Sequence, residues 1–332
     1  MESVLLTGAT GFVGRATVRN LIGRGFRIRA IVRKMPPNPP PDTEILLGDL
    51  SDQNFLASAM TGCDGVIHLA AYARNWARDP RVFDETNVAG TKRVLAAALA
   101  SGVRRVVHTS SVLTIGPSDG TPLDESARRT TVPPTDYERT KIAAEEAVGE
   151  FVRKGLDVVM VNPTRIFGPG PLTEANSVSI MVRDYIDGRW HMLPGNGSAL
   201  GNYAFIEDVA AGIARALEHG RTGERYILGG ENISYRKLFD TVKDITGEPH
   251  FLVPVPTFAA GIISRMELLR ASLFNGYPLI TPGWVTTLFG GAAYSCAKAE
   301  RELGYQITPF ATAMRTTINW LRTTATTARE GT

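Results

Sequence analysis

The sequence predicts an α/β fold in which a doubly wound parallel sheet carries a smaller, mostly helical carboxyl-terminal lobe. Short apolar runs alternate with helical patterns through the first half of the chain, and a glycine-rich turn joins the first run to the first helix. After Pro163 this alternation loosens. The 332 residues are 43% apolar and 21% charged, which fits one large or two average globular domains and excludes a disordered chain.

Six short apolar runs in the first half are predicted to be strands. They occupy residues 4–7, 28–32, 44–47, 65–70, 105–109 and 157–161, and helical patterns begin near Gly11, Asp52, Thr86 and Asp136. Strands that alternate with helices form βα units and hence a parallel sheet. Residues 35–42 hold five prolines, so we expect a stiff, non-helical connection between the second and third strands.

The second half of the chain lacks this regular alternation of strand and helix patterns. It shows expected loops at 168–171 and 194–201, and expected helices at 235–246 and 311–322. Residues 205–217, followed by 224–228, have the pattern of a helix and a strand that return to the main sheet. The expected domains are therefore a dinucleotide-binding domain at 1–170 with 202–230, and a substrate-binding lobe at 171–201 with 231–325.

A glycine-rich turn at residues 7–14, TGATGFVG, follows an apolar strand and opens an amphipathic helix. Glycines allow the turn to be tight and the backbone to approach a pyrophosphate. The amino terminus of the helix adds unpaired N–H groups and the positive end of its dipole. The turn and its context predict a dinucleotide-binding site.

The end of the second strand indicates which nicotinamide cofactor such a site prefers. Sites for the unphosphorylated cofactor place an acidic side chain there, which binds the adenosine ribose. In this chain Arg33 and Lys34 follow the strand, and residues 15–41 include no Asp or Glu. A guanidinium binds a 2′-phosphate through charge-assisted hydrogen bonds, so NADP is expected rather than NAD, unless both side chains are simply solvated. Asp49, after the third strand, is placed to meet the adenine edge.

Tyr137 and Lys141 are four residues apart on a predicted helix, so their side chains lie next to each other. The lysine falls on the apolar stripe, which later includes Ala144 and Val148. One functional reason for an inward ammonium is that it lowers the pKa of the Tyr137 phenol, which then serves as a general acid or base. The alternative is a lysine that extends its charge to solvent beside a core tyrosine.

Hydroxyl groups follow the fifth predicted strand, where residues 109–111 read Thr-Ser-Ser. Ligands of open α/β sheets bind at the carboxyl ends of the strands. A hydroxyl at that edge could hold a substrate carbonyl, although serines are also common where strands pass into loops.

Eight motifs in this order resemble those of the extended short-chain dehydrogenase/reductase family, also called the NAD-dependent epimerase/dehydratase family, over most of the chain. They lie at residues 7–14, 48–50, 68–71, 87–91, 109–111, 137–141, 162–164 with 168–170, and 297–305. The resemblance implies a Rossmann-type fold and a homodimer formed through helices near residues 92–100 and 138–152. It makes Ser111 the catalytic serine, Tyr137 the proton donor or acceptor, and Lys141 the residue that binds the nicotinamide ribose.

The expected cofactor contacts combine this resemblance with the argument above. Besides Tyr137 and Lys141 they are Gly8, Thr10, Gly11, Phe12, Val13, Arg33, Lys34, Asp49, Leu50, Leu69, Ala70, Ala71, Pro163 and Thr164.

Two departures from the family pattern bear on the substrate. Sugar-nucleotide epimerases of the family usually carry an arginine that binds the diphosphate and an asparagine near the sugar nucleotide, and this chain has Gly201 and Arg165 at those positions. Residues 161–164 and the basic end of the second strand look more like the dihydroflavonol reductase, ketone/aldehyde reductase and 3β-hydroxysteroid dehydrogenase branches. We expect an NADPH-dependent oxidoreductase that acts on a ketone, aldehyde or secondary alcohol of a small hydrophobic or aromatic molecule. The alternatives are a nucleotide-sugar epimerase or dehydratase and a non-catalytic NADP-binding sensor.

Several partners are not expected. The net charge of +3 is spread along the chain, so it offers no basic stripe for nucleic acid. The five histidines show no ligand spacing, so no metal is expected. The two cysteines fit a reducing compartment, and residues 1–14 show no signal peptide, so a cytoplasmic location is expected.

Two apolar stretches are candidates for crossing a membrane or lying on its surface. The uncharged run 271–297 is broken by glycines and prolines, so we expect loops and short elements rather than a span. Residues 258–274 place Ile262, Met266 and Leu269 on one helical face. We expect a lid or core helix of the substrate lobe, rather than a helix that lies on a membrane surface.

Overall fold

The computed structural model describes residues 2–330, and the side chains up to residue 324. Met1, the first residue of the stretch 1–14 in which no signal peptide is expected, lies outside the described residues. Gly331 and Thr332 also lie outside them. No helix within the described part of the chain has the length and hydropathy needed to cross a membrane.

A central sheet of seven parallel strands organises the chain, in the spatial order β10-β6-β5-β4-β1-β2-β3. The strands are β1 Ser3–Thr7, β2 Arg27–Val32, β3 Thr43–Leu47, β4 Gly65–His68, β5 Arg105–Thr109, β6 Val158–Pro163 and β10 Arg225–Leu228. The predicted doubly wound parallel sheet is confirmed, including the return of residues 224–228 to its edge. The chain reverses direction across the sheet between β1 and β4, which is where open α/β folds bind ligands.

Helices occur throughout the described part of the chain. They are α1 Phe12–Gly23, α2 Gln53–Met60, α3 Arg81–Phe83, α4 Gly90–Ala100, α5 Asp136–Arg153, α6 Ser177–Ile186, α7 Ile206–His219, α8 Tyr235–Thr246, α9 Thr257–Leu273, α10 Pro282–Phe289, α11 Ala297–Leu303 and α12 Phe310–Glu330. The helix expected near Thr86 starts earlier, at α3, and reaches α4 through a π-helical segment, Asp84–Ala89. The proline-rich stretch 35–42 contains no helix or strand, as predicted.

Both faces of the sheet are covered because side chains alternate along each strand. Val4 and Leu6 of β1 join a core with α1 and α7, whereas Leu5 joins a second core with α2, α4 and α5. Strands in the middle of the sheet, such as β1 and β4, are buried on both faces, which explains why they read as continuous apolar runs, whereas β3 at the edge is partly exposed.

Short strands outside the central sheet were not predicted. β7 Arg165–Phe167, β9 Leu200–Phe205 and β11 Glu231–Ser234 form a three-stranded sheet, and β8 Met192–Pro194 pairs with β12 Val253–Val255. The expected loop 194–201 is therefore too long, because its first residue belongs to β8 and its last two residues belong to β9. There Gly201 pairs with Ile233 of β11.

Residues 257–273 form a helix as expected, but α9 turns its apolar stripe outward, so the expectation of a core helix is wrong. Ile262, Met266 and Leu269 are each more than half exposed. The buried positions of α9 are the small residues Ala260, Ser264 and Ala271, which allow the helix backbone to approach its neighbours closely. The segment that follows, within the run 271–297, forms loops and the short helix α10, as predicted.

Candidate active site

The glycine-rich turn packs against the end of the neighbouring strand β4. Gly8 has φ +74°, and a Cβ there would lie 2.8 Å from the backbone nitrogen of Ala70. A Cβ at Gly14 would lie 2.1 Å from the carbonyl oxygen of Gly8. Only glycine fits either position, so the turn keeps its backbone open toward the amino terminus of α1, as a pyrophosphate requires.

The structure brings Leu69 and Ala70, two of the expected dinucleotide contacts, next to this turn. The Leu69 N–H donates to the Thr7 carbonyl oxygen at 3.2 Å, and the Ala70 N–H donates to Thr7 Oγ1 at 3.2 Å. These bonds hold Leu69 and Ala70 beside Thr7 and Gly8. A cradle of this form fits a nicotinamide dinucleotide, whose pyrophosphate would lie over the turn.

The basic residues after β2 lie at the same edge of the sheet. Arg33 and Lys34 are exposed, and among the described residues neither forms an ion pair within 4.0 Å. Asp49 is also exposed, and it accepts a hydrogen bond from the Ser51 N–H at 2.9 Å. That bond, with a smaller effect of the Arg33 charge, lowers the pKa of Asp49, so a carboxylate and a free guanidinium stand together there.

Sequence reasoning missed Arg15 at this edge. Its Nε donates to the Thr10 carbonyl oxygen at 3.2 Å, and its Nη2 donates to the Asn38 carbonyl oxygen at 3.1 Å. Arg15 therefore ties the proline-rich connection to the glycine-rich turn. Its place just after Gly14 put it on the first turn of α1, but no sequence pattern predicts a partner in a loop 23 residues away.

Helix α5 holds Tyr137 and Lys141 at the carboxyl end of β5. The helix begins after Thr135, whose side chain accepts a hydrogen bond from the Glu138 N–H at 3.2 Å. Lys141 is only 4% exposed, as its apolar stripe predicted. Its Nζ donates to the Thr109 carbonyl oxygen at 2.8 Å and lies 5.9 Å from the centre of the Tyr137 ring. The ammonium is thus fixed between the tyrosine and the strand end.

Burial shifts both groups away from their usual titration ranges. It raises the pKa of Tyr137 to about 12, helped by the neighbouring charge of Glu138, and it lowers the pKa of Lys141 to about 8. The expectation that the pKa of the phenol is lowered is therefore wrong for this structure, because burial and the charge of Glu138 both disfavour the phenolate. Near neutral pH the phenol keeps its proton and is available as a general acid.

Ser111 lies two residues beyond the end of β5, at the start of a short 3₁₀ turn. Its Oγ accepts a hydrogen bond from the Leu113 N–H at 3.3 Å, and its carbonyl oxygen accepts one from Asn162 Nδ2 at 3.0 Å. Asn162 is fully buried in β6 and also donates to Glu145 at 2.7 Å. This network fixes the backbone of Ser111 while its hydroxyl can still donate a hydrogen bond.

A cavity of about 600 Å³ opens beside Ser111 and is mostly apolar. Thr164, Trp76, Trp190 and Trp284 also line it. Tyr137 is not among its lining residues, but the adjacent Glu138 is. The cavity lies at the carboxyl ends of β5 and β6, so a substrate in it would contact Ser111 and Thr164 and lie next to the start of α5.

A buried ion pair that sequence reasoning missed lies in the wall of this cavity. Arg129 Nη1 lies 2.8 Å from Glu138 Oε2, and these side chains are 9% and 2% exposed. The other Glu138 oxygen accepts a hydrogen bond from Thr287 Oγ1 of α10 at 3.0 Å. The pair joins the start of the tyrosine helix to the second lobe. Within the part of the chain that the structure describes, no group of three or more His, Cys, Asp or Glu side chains could hold a metal.

Comparison with curated proteins finds relatives along nearly the whole chain. A Synechocystis protein named provisionally as a dihydroflavonol 4-reductase is 32% identical, over 97% of this chain and 95% of its own. Sterol demethylase protein B of Methylococcus capsulatus is also 32% identical, over 96% and 98%. A 3β-hydroxysteroid dehydrogenase of Mycolicibacterium neoaurum is 28% identical, over 91% and 86%.

Solved structures give the same result. The crystal structure of gox2253 has a TM-score of 0.82 and 34% identity, covering 97% of this chain and 98% of that one. DesIV of Streptomyces venezuelae, a dTDP-glucose 4,6-dehydratase solved with NAD bound, has a TM-score of 0.77 and 26% identity, covering 96% and 97%. The model of the NAD-dependent epimerase/dehydratase family matches residues 4–229. With the glycine-rich turn, the Tyr137 and Lys141 pair and the sheet topology in place, the chain belongs to the NAD-dependent epimerase/dehydratase family.

Proposed function

We propose that this chain is an NADPH-dependent oxidoreductase that acts on CH–OH groups. It transfers a hydride to or from a ketone, aldehyde or secondary alcohol of a small hydrophobic or aromatic molecule. The observation that carries the proposal is the placement of Tyr137, Lys141 and Ser111 at one sheet edge, next to an apolar cavity lined by three tryptophans. The relatives named as a reductase and as a hydroxysteroid dehydrogenase support it.

The chain's own groups have distinct roles in this reaction. When bound over the glycine-rich turn, the cofactor supplies or accepts the hydride at its nicotinamide ring. Ser111 donates a hydrogen bond to the substrate carbonyl oxygen, which holds it in place and stabilises the negative charge that develops there. Tyr137 passes its phenolic proton to that oxygen in the direction of reduction. Lys141, held by the Thr109 carbonyl, keeps a positive charge near the phenol as the proton leaves.

NADP is the proposed cofactor because Arg33 and Lys34 are exposed at the end of β2, with no carboxylate partner within 4.0 Å among the described residues. A 2′-phosphate there would gain charge-assisted hydrogen bonds. The other proposed cofactor contacts are those at the turn, at residues 69–71, at Asp49 and Leu50, and at Pro163 and Thr164. The proposal also includes the two-domain division at residues 1–170 with 202–230 and 171–201 with 231–325, a homodimer, and a cytoplasmic location.

The surroundings of Gly201 argue against a sugar nucleotide. A Cβ at Gly201 would lie 2.8 Å from the ring of Tyr203, which occupies the space that the arginine of the epimerases would need. A diphosphate therefore has no arginine from this position, and loses an interaction worth roughly 1.5–3 kcal/mol. The apolar lining of the cavity favours a less charged molecule.

The test is NADPH oxidation by the purified protein against a panel of aromatic ketones, hydroxysteroids and sugar nucleotides. Tyr137→Phe should lower turnover at least ~100-fold, as expected for a lost general acid, and leave cofactor binding intact. Tyr185→Phe makes the same chemical change at a buried residue outside the cavity, and should retain activity. Interconversion of uridine or thymidine diphosphate sugars, without ketone reduction, would favour the epimerase alternative. Nucleotide binding without any turnover would favour the sensor.

A further inference from the structure

One cation in the cavity has no carboxylate partner among the described residues. Arg165 of β7 is partly buried, and its guanidinium donates from Nη1 to Tyr235 Oη at 2.5 Å and from Nη2 to the Thr287 carbonyl oxygen at 3.0 Å. Both acceptors are neutral. A guanidinium has five N–H donors, so described groups use fewer than half of them with good hydrogen-bond geometry.

The other charges that line the cavity are compensated. Arg129 pairs with Glu138 at 2.8 Å. Glu174 lies 3.8 Å from the guanidinium of Arg74 and accepts a hydrogen bond from Tyr277 Oη at 3.2 Å. Among the described residues that line the cavity, Arg165 is therefore the one charged side chain without an oppositely charged partner.

Aromatic rings surround this cation but do not neutralise it. The guanidinium carbon lies 5.4 Å from the ring centre of Tyr235 and 5.9 Å from that of Tyr203. The Tyr203 hydroxyl, which also lines the cavity, is buried and has no hydrogen-bond partner of good geometry. Among the described residues, a guanidinium without a carboxylate partner and a hydroxyl without a hydrogen-bond partner of good geometry thus share one wall of the cavity, with aromatic rings around them.

We propose that Arg165 binds a carboxylate of the substrate, with Tyr203 as a second donor. Protein interiors rarely leave a cation unpaired, and a planar guanidinium matches a carboxylate through two parallel hydrogen bonds. The substrate is then a hydrophobic or aromatic ketone or alcohol that carries an acidic group away from the reacting carbon. This proposal rests on the proposed function, because it assigns the substrate class of the same cavity. Because the cavity is mostly apolar and, among the described lining residues, holds one uncompensated guanidinium, a substrate with a single carboxylate fits it better than a diphosphate with two or more charges.

The experiment compares matched acids and esters as substrates of the NADPH-loaded protein. The probes are para-acetylbenzoic acid and its methyl ester, with acetylbiphenyl carboxylic acid and its methyl ester as a longer pair. The wild type should prefer the acid of at least one pair by roughly tenfold or more in kcat/KM, mainly through KM, which is the effect of one charge-assisted hydrogen bond. Arg165→Met should bring this ratio close to one while the ester is still reduced, and Arg165→Lys should restore part of the preference.

Arg183→Met is the matched control, since Arg183 lies on α6 outside the cavity lining and pairs with Asp184. It should keep the wild-type preference. Equal kcat/KM for acid and ester in the wild type would overturn the carboxylate proposal and leave the oxidoreductase proposal standing. A purely structural role for Arg165 would instead lower activity on acid and ester alike in both variants, and would also overturn it.

If the wild type reduces none of the probes, that outcome counts against the proposed oxidoreductase function. Calorimetry then tests the carboxylate site at Arg165 separately, through the binding of acid and ester. Tighter binding of an acid than of its ester, lost in Arg165→Met, would still support the site. Equal binding of acid and ester would overturn it.

Discussion

Lys141 places an ammonium where solvent cannot reach it, so its position carries a cost in stability. Its pKa of about 8 lies below the usual 10.5, so below pH 8 the folded and unfolded states are both protonated and only the folded state bears the loss of solvent. We predict that Lys141→Met raises the free energy of unfolding at pH 7 by on the order of 1–3 kcal/mol, while it removes activity. The lost bond to the Thr109 carbonyl offsets part of this gain.

The pH dependence gives this prediction a definite sign. Between about pH 8 and 10.5 the unfolded wild type binds a proton that the folded state does not, so wild-type stability should rise with pH in this window. The advantage of Lys141→Met should therefore shrink at pH 10. Denaturant unfolding of the wild type and Lys141→Met at pH 7 and pH 10 measures the difference in their free energies of unfolding. A variant that is less stable than the wild type at pH 7 would show that the lysine stabilises the fold.

Arg33 determines the cofactor preference in our proposal. Arg33→Asp replaces a cation with an anion at the end of β2, so NADPH affinity should fall by more than ~1.4 kcal/mol, or tenfold, while NADH affinity changes little. Fluorescence titration with both cofactors measures the change. Tighter binding of NADH than NADPH by the wild type would contradict the proposal before any variant is made. Lys154→Asp, at the end of α5, makes the same charge reversal away from the turn as a control.

Residues differ in how far the sequence could reveal them. Tyr137 and Lys141 were predictable because their spacing of four puts both on one face of a helix, and the apolar stripe gave the direction of that face. The pair of Arg129 and Glu138 was not, because Arg129 lies in an irregular loop whose path depends on α10 and the second lobe. The pKa of Tyr137 was predicted with the wrong sign, since a sequence shows a neighbouring charge but not the extent of burial.

Helix α9 shows the limit of periodicity at the level of an element. Its pattern predicted a helix correctly, but two stripes repeat with the same period, one of large apolar residues and one of small residues. In the structure the stripe of small residues is buried, because these residues allow the helix backbone to approach its neighbours closely. They are Ala260, Ser264 and Ala271. The strands β7, β8 and β12 escaped prediction for a related reason, since three residues are too few to display an alternation.

The outward face of α9 leads to a prediction about stability. Ile262→Gln and Leu269→Gln change side chains that are more than half exposed, so together they should alter the free energy of unfolding by less than about 1 kcal/mol. Ala260→Leu is the matched change on the buried face, and overpacking there should cost about 1–3 kcal/mol. Chemical denaturation of the three proteins checks both statements. A loss above about 2 kcal/mol in the double glutamine variant would mean that this face is covered in solution.

For the molecule as a whole, the parallel sheet was predictable because most of its seven strands are largely buried on both faces, and such strands read as apolar runs. The way the second lobe closes over the sheet was not. It depends on contacts far apart in the chain, such as the hydrogen bond from Arg165 to the Thr287 carbonyl, 122 residues away. The cavity forms from these contacts, so its lining could be known only from the structure.

The expected homodimer would add a further level of organisation. Helices α4 and α5 pack side by side, and Leu99 on α4 is 38% exposed. We predict that the purified protein sediments at twice 35.9 kDa, because two such helix pairs can bury the ~1,000 Å² or more that a stable interface needs. Ala143→Arg on α5 should shift it toward the monomer, since a long charged side chain prevents close helix packing. Asp244→Arg on the exposed side of α8 is the control and should leave the mass unchanged. A wild type that sediments at 35.9 kDa at micromolar concentration would exclude the dimer, and equal masses for both variants would place the interface elsewhere.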